Sequence, residues 1–280
     1  YPNPGYPIYE SQIKYQGGIP VPYGYDETET GFAIDIQKLR ASITDKTTTL
    51  VYNNYQNPIS AASSQEEIEA LAELALEHDL WVLSDDAYYE IRYTDEPPRS
   101  IVNIPGLKER TVILYTFSKK FAMTGWRVGA SIGPDEVIKR IARFNINDES
   151  CTNHFIQHAL AETVGGDPSG ANELLYELQT RRDETIKGLN AIEGIHVPTP
   201  ESTFYSYPNV TGVMAEKGFT DLDKFRTAAL ESTGVSFCAR HHFGTPLAGE
   251  TDHYIRLAYS GISQDDIREG LGKLKTWIEG

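Results

Sequence analysis

The stretch Thr116-Phe117-Ser118-Lys119-Lys120-Phe121-Ala122-Met123-Thr124-Gly125-Trp126-Arg127-Val128-Gly129 carries the residue types that covalent chemistry on a carbonyl requires. A lysine amine attacks a carbonyl only after losing its proton, and a partly buried, cationic neighbourhood lowers its pKa. Lys119 follows an apolar run and precedes Arg127, an order that suits a Schiff-base site for a phosphorylated aldehyde. Arg127 can grip a phosphate bidentately, and Ser118 and Thr116 can donate to the same group. Gly125 and Gly129 let the backbone turn or approach closely. Taken singly, Lys119-Lys120 is a surface pair and Arg127 a structural arginine. As one string they point to a site.

Three more segments have the same character. Ser84-Asp85-Asp86-Ala87-Tyr88 closes a strand pattern, and ligands sit at the C-terminal strand ends of parallel sheets. Asp85 there can pair with a pyridinium nitrogen and keep it protonated, and Tyr88 can aim its hydroxyl at a ring's phenolic oxygen. Standing alone, the segment is a solvated acidic turn. In Asn53-Asn54-Tyr55-Gln56-Asn57-Pro58-Ile59-Ser60-Ala61, Asn57 is held extended by the proline after it. Its amide can reach both a bound ring and a substrate, although alone the segment is a turn. Finally, Arg256 interrupts the apolar strand Tyr254-Ile255-Arg256-Leu257-Ala258-Tyr259. A buried arginine needs an anionic partner, either a bound carboxylate or one of the chain's own.

The elements that position these residues are read from periodicity. Leu50–Tyr52, Leu80–Leu83, Thr111–Tyr115 and Arg127–Ile132 are apolar runs of strand length. Ser64-Gln65-Glu66-Glu67 is a capping box that opens an amphipathic helix with Ile68, Leu71 and Ala75 on one face. Pro134 starts another helix through Val137, Ile138 and Ile141. Strands alternating with helices predict an α/β fold with a mostly parallel sheet. After Gly165-Gly166-Asp167-Pro168 the pattern changes to a long helix over about residues 172–192. Strand-like segments follow at 203–207, 235–238 and 254–259, and a helix capped by Ser263 closes the chain. The expected division is a large domain over 1–170 and a smaller α+β domain over 171–280 that includes the linking helix.

Composition narrows the function classes. Lys plus Arg is 25 against 40 for Asp plus Glu, a formal charge of −15 over 280 residues. Such a surface repels nucleic acid and anionic membrane unless a basic patch exists, and the longest basic clusters are only pairs. The two cysteines, Cys151 and Cys238, form no disulfide framework and no metal-ligand spacing, and they suit a reducing compartment. No apolar stretch reaches membrane-spanning length. His154 and His158 share a helix face without a third ligand, so no metal site is expected. Arg240, His241 and His242 read as a solvated polar loop, or as groups that meet a side-chain carboxylate at the mouth of the site.

The order of the four segments is similar to that in the class I and II aminotransferases of the fold-type I pyridoxal 5′-phosphate (PLP) family, nearest its aspartate-aminotransferase-like branch. The resemblance runs essentially along the whole chain, and Phe121–Gly129 looks like that branch's lysine signature. It implies a fold-type I architecture and PLP as cofactor. Lys119 would form the Schiff base and shuttle a proton, and Asp85 would pair with the pyridine nitrogen. Tyr88 and Asn57 would contact the phenolic oxygen. Arg127, Ser118 and Thr116 would bind the phosphate, Tyr6 would stack on the ring, and Arg256 would bind the substrate α-carboxylate. The activity implied is ping-pong exchange of an amino group between an α-amino acid and a 2-oxo acid, by a cytoplasmic homodimer. The alternatives are PLP-dependent β-elimination and a non-catalytic, ligand-sensing domain.

The sequence departs from the family in places. The usual Asn-Pro-Thr-Gly reads Asn57-Pro58-Ile59-Ser60, and Thr116 stands where Ser or Gly is usual. Tyr1-Pro2-Asn3-Pro4-Gly5 has no initiator Met and no helix start. The family's N-terminal arm, its glycine-containing phosphate loop and its cross-dimer tyrosine have no counterpart. The expectation is a native polypeptide that extends N-terminally, where a targeting peptide is also possible.

Overall fold

The computed structural model describes residues 1–280. The proline-rich opening leads into a short helix, α1 (Ile8–Tyr15), where the sequence suggests no helix start. Pro7 precedes it with helical backbone angles, an arrangement that costs no hydrogen bond because the first turn's N–H groups are free anyway. The hairpin of β1 (Tyr25–Thr28) and β2 (Gly31–Ile34) turns at Gly31, whose φ of 146° a side chain would disfavour. α2 (Ile36–Ser42) is capped by Asp35, which accepts from the Lys38 amide.

The main sheet follows. Its strands are β3 (Thr49–Asn53), β4 (Trp81–Asp85), β5 (Thr111–Thr116) and β6 (Gly129–Ile132), in the order β3-β4-β5-β6. β3–β4 and β4–β5 are parallel, as the alternation of strands and helices predicts. β6 is antiparallel to β5, with Thr116 opposite Gly129. The Lys119 segment is therefore the loop of a hairpin, not a crossover. α3 (Gln65–Glu77) connects β3 to β4, and both halves of the expected capping box form: Glu67 N donates to Ser64, and Ser64 N to Glu67. The face of α3 bearing Ile68, Leu71, Leu74 and Ala75 packs with Leu50, Tyr52 and Val82 of the sheet in one core cluster. Burial of that face is the main force that holds β3 and β4 together.

After the sheet come α4 (Asp135–Asp148), α5 (His154–Thr163) and the long α6 (Ser169–Asn190). Pro134 stands just outside α4, and none of that helix's residues is buried, so its apolar stripe of Val137, Ile138 and Ile141 is only partly covered. The strand expected from Arg127 begins two residues later, at Gly129, because Arg127 takes a left-handed conformation with φ 53°. Beyond α6 lie β7 (Tyr205–Ser206), α7 (Thr211–Glu216), α8 (Leu222–Thr233), β8 (Cys238–Ala239), β9 (Ile255–Ala258) and α9 (Gln264–Glu279). The three strands form an antiparallel sheet in the order β7-β9-β8. Leu189 of α6, Phe225 of α8, Leu257 of β9 and Leu271 and Leu274 of α9 share a second core. Each strand here is shorter than its apolar run suggests, since the run's length reflects burial and not ladder pairing.

Gly129 is the tightest point of the hairpin that carries Lys119. A β-carbon there would lie 2.7 Å from the Tyr115 carbonyl oxygen, whereas one at Gly125 would meet nothing within 4 Å. Gly129→Ala is expected to destabilise the fold by about 1–3 kcal/mol through backbone displacement. Gly125→Ala should leave stability nearly unchanged. Urea unfolding midpoints of the two variants check the contrast.

Candidate active site

The parallel register brings the ends of β3 and β4 side by side, with Asn53 opposite Asp85. Asn53 fixes both strand ends: its amide nitrogen donates to the Asp85 carbonyl at 2.8 Å and its amide oxygen accepts from the Asn57 N–H at 3.1 Å. The Asp85 carboxylate accepts from the Ala87 N–H at 3.1 Å and from the Tyr9 hydroxyl. Burial pushes its pKa up, while Tyr9, the Ala87 N–H and the Lys119 charge pull it down. Tyr88 lies beyond the turn, buried, with its hydroxyl 2.6 Å from that of Tyr205.

Lys119 sits in the β5–β6 loop with its amine 5.6 Å from the centre of the Tyr88 ring. Its pKa is lowered, first by desolvation and then by the charges of Arg127 and Arg256, with Asp85 opposing. The adjacent Lys120 pairs with Glu90, which also accepts from the Tyr115 hydroxyl. That arrangement occupies one lysine of the pair and leaves the other at the site. Ser118 is buried, and Thr116 donates to its hydroxyl oxygen at 2.8 Å. Arg127 is exposed, and its guanidinium donates to the Thr124 carbonyl at 2.8 Å. Thr116 at the end of β5, and Ser118 and Arg127 in the loop that follows, thus belong to one hairpin: the two hydroxyls are joined to each other, and the Arg127 guanidinium is held by the loop's own backbone.

Arg256 projects from β9 across to Asn57, donating to its amide oxygen at 2.8 Å. The guanidinium carbon lies 4.2 Å from the Tyr205 ring and 4.7 Å from the Phe243 ring. Its Nη2 is 3.8 Å from the Cys238 sulfur, and its Nε is buried without a partner. None of these neighbours is a carboxylate, so the internal ion pair that the sequence left open is absent. A guanidinium seated between rings, with an unused donor, is a site for a carboxylate brought by a ligand.

Tyr6 is 46% exposed and packs edge-on against Tyr9 at 6.0 Å. It is Tyr9 whose hydroxyl reaches Asp85. Nothing in the sequence, which suggests no helix start here, points to Tyr9 in that role. Nothing local to Tyr205 says that its partner is Tyr88, 117 residues away. The reading of Arg240 as part of a solvated loop is overturned. It is buried, pairs with Glu250 at 2.6 Å and donates to Asn3 at 2.8 Å. Its charge is satisfied internally, so it is not free to greet a substrate. His241 and His242 are exposed, and with Asp223 they bring possible metal-ligating atoms within 4.8 Å of one another. His242 Nδ1 already accepts from the Ala239 N–H, however, which places its neutral proton on the outward Nε2.

A family model for class I and II aminotransferases matches residues 1–274. The chain is 33% identical to an aspartate aminotransferase of Streptomyces avermitilis, over 98% of this chain and 66% of that protein. It is 31% identical to an asparagine–oxo-acid transaminase of Streptococcus mutans, over 99% of this chain and 69% of that protein. An aromatic aminotransferase structure from Pyrococcus horikoshii superposes with a TM-score of 0.90 at 29% identity, over 99% of this chain and 72% of that one. The chain thus spans about two thirds of the length of the curated relatives it matches.

Lys119 and Lys38 make opposite electrostatic cases. Desolvation lowers the pKa of Lys119, whereas the Asp35 carboxylate raises that of Lys38. As pH rises, Lys119 therefore loses its proton first. Limited acetylation across a pH series, read by peptide mapping, should reach half-modification at lower pH for Lys119 than for Lys38. The reverse order would show that the site does not desolvate Lys119.

Proposed function

This chain belongs to the class I and II aminotransferases, a family of PLP-dependent enzymes, and we propose that it exchanges an amino group between an α-amino acid and a 2-oxo acid. The observation that carries the reading is the meeting of three functional groups from distant parts of the chain. They are a desolvated lysine amine, a half-buried carboxylate at a parallel strand end and an arginine without a carboxylate partner. The set fits PLP chemically, with an amine for its aldehyde, an anion for its ring nitrogen and hydroxyls for its phosphate and phenolic oxygen.

When bound, PLP supplies an electron sink that makes a bond at the amino acid's Cα breakable. Lys119 holds it through the amine. Asp85 keeps a proton on the ring nitrogen; burial raises its own pKa, and the Tyr9 and Ala87 donors oppose that rise by hydrogen-bonding the carboxylate. Tyr88 and Asn57 serve the phenolic oxygen, Ser118, Thr116 and Arg127 the phosphate, and Tyr6 the face of the ring. Arg256 takes the substrate's α-carboxylate, with Asn57 already fixing one of its nitrogens. Lys119 Nζ then takes the Cα proton and holds it for return, a task that its lowered pKa favours. Amino acid and oxo acid use the same site in turn, so ping-pong kinetics follow.

Residues 1–170 form the PLP-binding domain in this reading and 171–280 the small domain. The assembly is a homodimer, supported by the exposed apolar side chains of Trp126, Phe144, Ile146 and Phe155. The two free cysteines favour a cytoplasmic setting.

Borohydride reduction of the PLP-loaded protein, followed by peptide mapping, should place the label on Lys119, and Lys119→Ala should abolish it. A label on a different lysine would sink the assignment. Arg256→Ala should weaken amino-acid binding by about 2–5 kcal/mol and leave PLP affinity almost unchanged. Equal loss of both would make Arg256 structural. With a sulfur amino acid as donor, release of pyruvate and ammonia in place of an exchanged amino group would favour β-elimination.

A further inference from the structure

Tyr205 touches the groups assigned to both reactants. On β7 it stands opposite Ala258 of β9. Arg256, two residues along β9, lies on the same face as a diagonal neighbour, which brings its guanidinium within 4.2 Å of the ring centre. The other end of the same side chain reaches the main sheet's side of the site, where its hydroxyl lies 2.6 Å from that of Tyr88. The backbone of Tyr205 is fixed as well: its carbonyl accepts from Ser60 at 3.0 Å and its N–H donates to Thr203 at 3.2 Å. The side chain is therefore held by its surroundings while it contacts two functional groups.

Two phenols share one hydrogen bond, and only one of them donates in it. If Tyr88 gives its proton to an anionic phenolic oxygen, its own oxygen is left to accept. Tyr205 is the donor within reach, and a donor behind a donor polarises the chain. We propose that Tyr205 is a positioning residue for both reactants: its ring seats Arg256 for the substrate carboxylate, and its hydroxyl donates to Tyr88 and directs the Tyr88 proton toward the phenolic oxygen of PLP. The inference rests on the aminotransferase reading and deepens it. Substrate binding and cofactor tuning, served by separate residues in sequence, meet in one side chain.

Two variants separate the roles. Tyr205→Phe keeps the ring and removes the hydroxyl; Tyr205→Leu removes both. Each is loaded with PLP and titrated with pH by visible absorbance, and the dissociation constant of propionate, which has no amino group to react, is measured by absorbance perturbation. A weaker donation from Tyr88 leaves the phenolic oxygen more basic, so the proton it shares with the lysine linkage is retained to higher pH. Tyr205→Phe should raise the titration midpoint by about half a pH unit or more, with propionate affinity within about twofold of the parent. Tyr205→Leu should raise the midpoint similarly and weaken propionate about tenfold. An unshifted midpoint in Tyr205→Phe overturns the donor role. Equal propionate loss in both variants overturns the ring's role. A parent protein without any pH-dependent lysine-bound band would overturn the aminotransferase reading itself, and this inference with it.

Discussion

The parallel register of β3, β4 and β5 is the constraint on which the site depends. Asn53 stands opposite Asp85 and Asp85 opposite Leu114, so β3 and β4 end at one level, β5 runs two residues farther, and the loops that follow all open on the same edge. A slip of one residue would turn every side chain to the other face. The register is set by burial, since Leu50, Tyr52 and Val82 must face the apolar stripe of α3. The β5–β6 hairpin then carries Lys119 over this edge, and the close approach of Gly129 to Tyr115 holds it there.

The second requirement is that the small sheet reach the large one. It does so through buried polar contacts: Arg256 to Asn57 at 2.8 Å, Ser60 to Thr203 at 2.6 Å and Tyr88 to Tyr205 at 2.6 Å. A buried donor or acceptor that loses its partner costs its full desolvation, so these bonds favour one relative placement over its alternatives. Arg240 works in the same way farther out, tying Glu250, the Gly244 carbonyl and Asn3 together. Asn3 returns a bond of its own to the Thr245 carbonyl at 2.6 Å.

Charge is distributed against the bulk trend. The protein carries −15 overall, yet Lys119, Arg127 and Arg256 are close enough for the two arginines to depress the lysine's pKa. Asp85 is the carboxylate that opposes them. A local cationic site on an acidic protein draws small anions by short-range contacts while the surface repels large polyanions. Amino and oxo acids, with their carboxylates, and a phosphorylated cofactor meet that condition.

The sequence by itself determined the residues of the lysine segment, the aspartate at a strand end, the asparagine before a proline and the arginine inside an apolar strand. Each is a local pattern, because strand ends, capping boxes and interrupted apolar runs are written in consecutive residues. It also fixed the α/β class, since alternating strand and helix periodicities leave few other ways to bury both. Tertiary structure alone decided which of these groups meet. Nothing local to Arg256 says that its partner is Asn57 and not a carboxylate, or that Tyr205 and Phe243 flank it. Nothing near Arg240 foretells Glu250 and Asn3, and Tyr9 becomes a partner of Asp85 only when α1 packs over the strand ends. Those pairings join residues tens to hundreds of positions apart. They are chosen by the packing of whole elements, and such packing has no signature in any short stretch of chain.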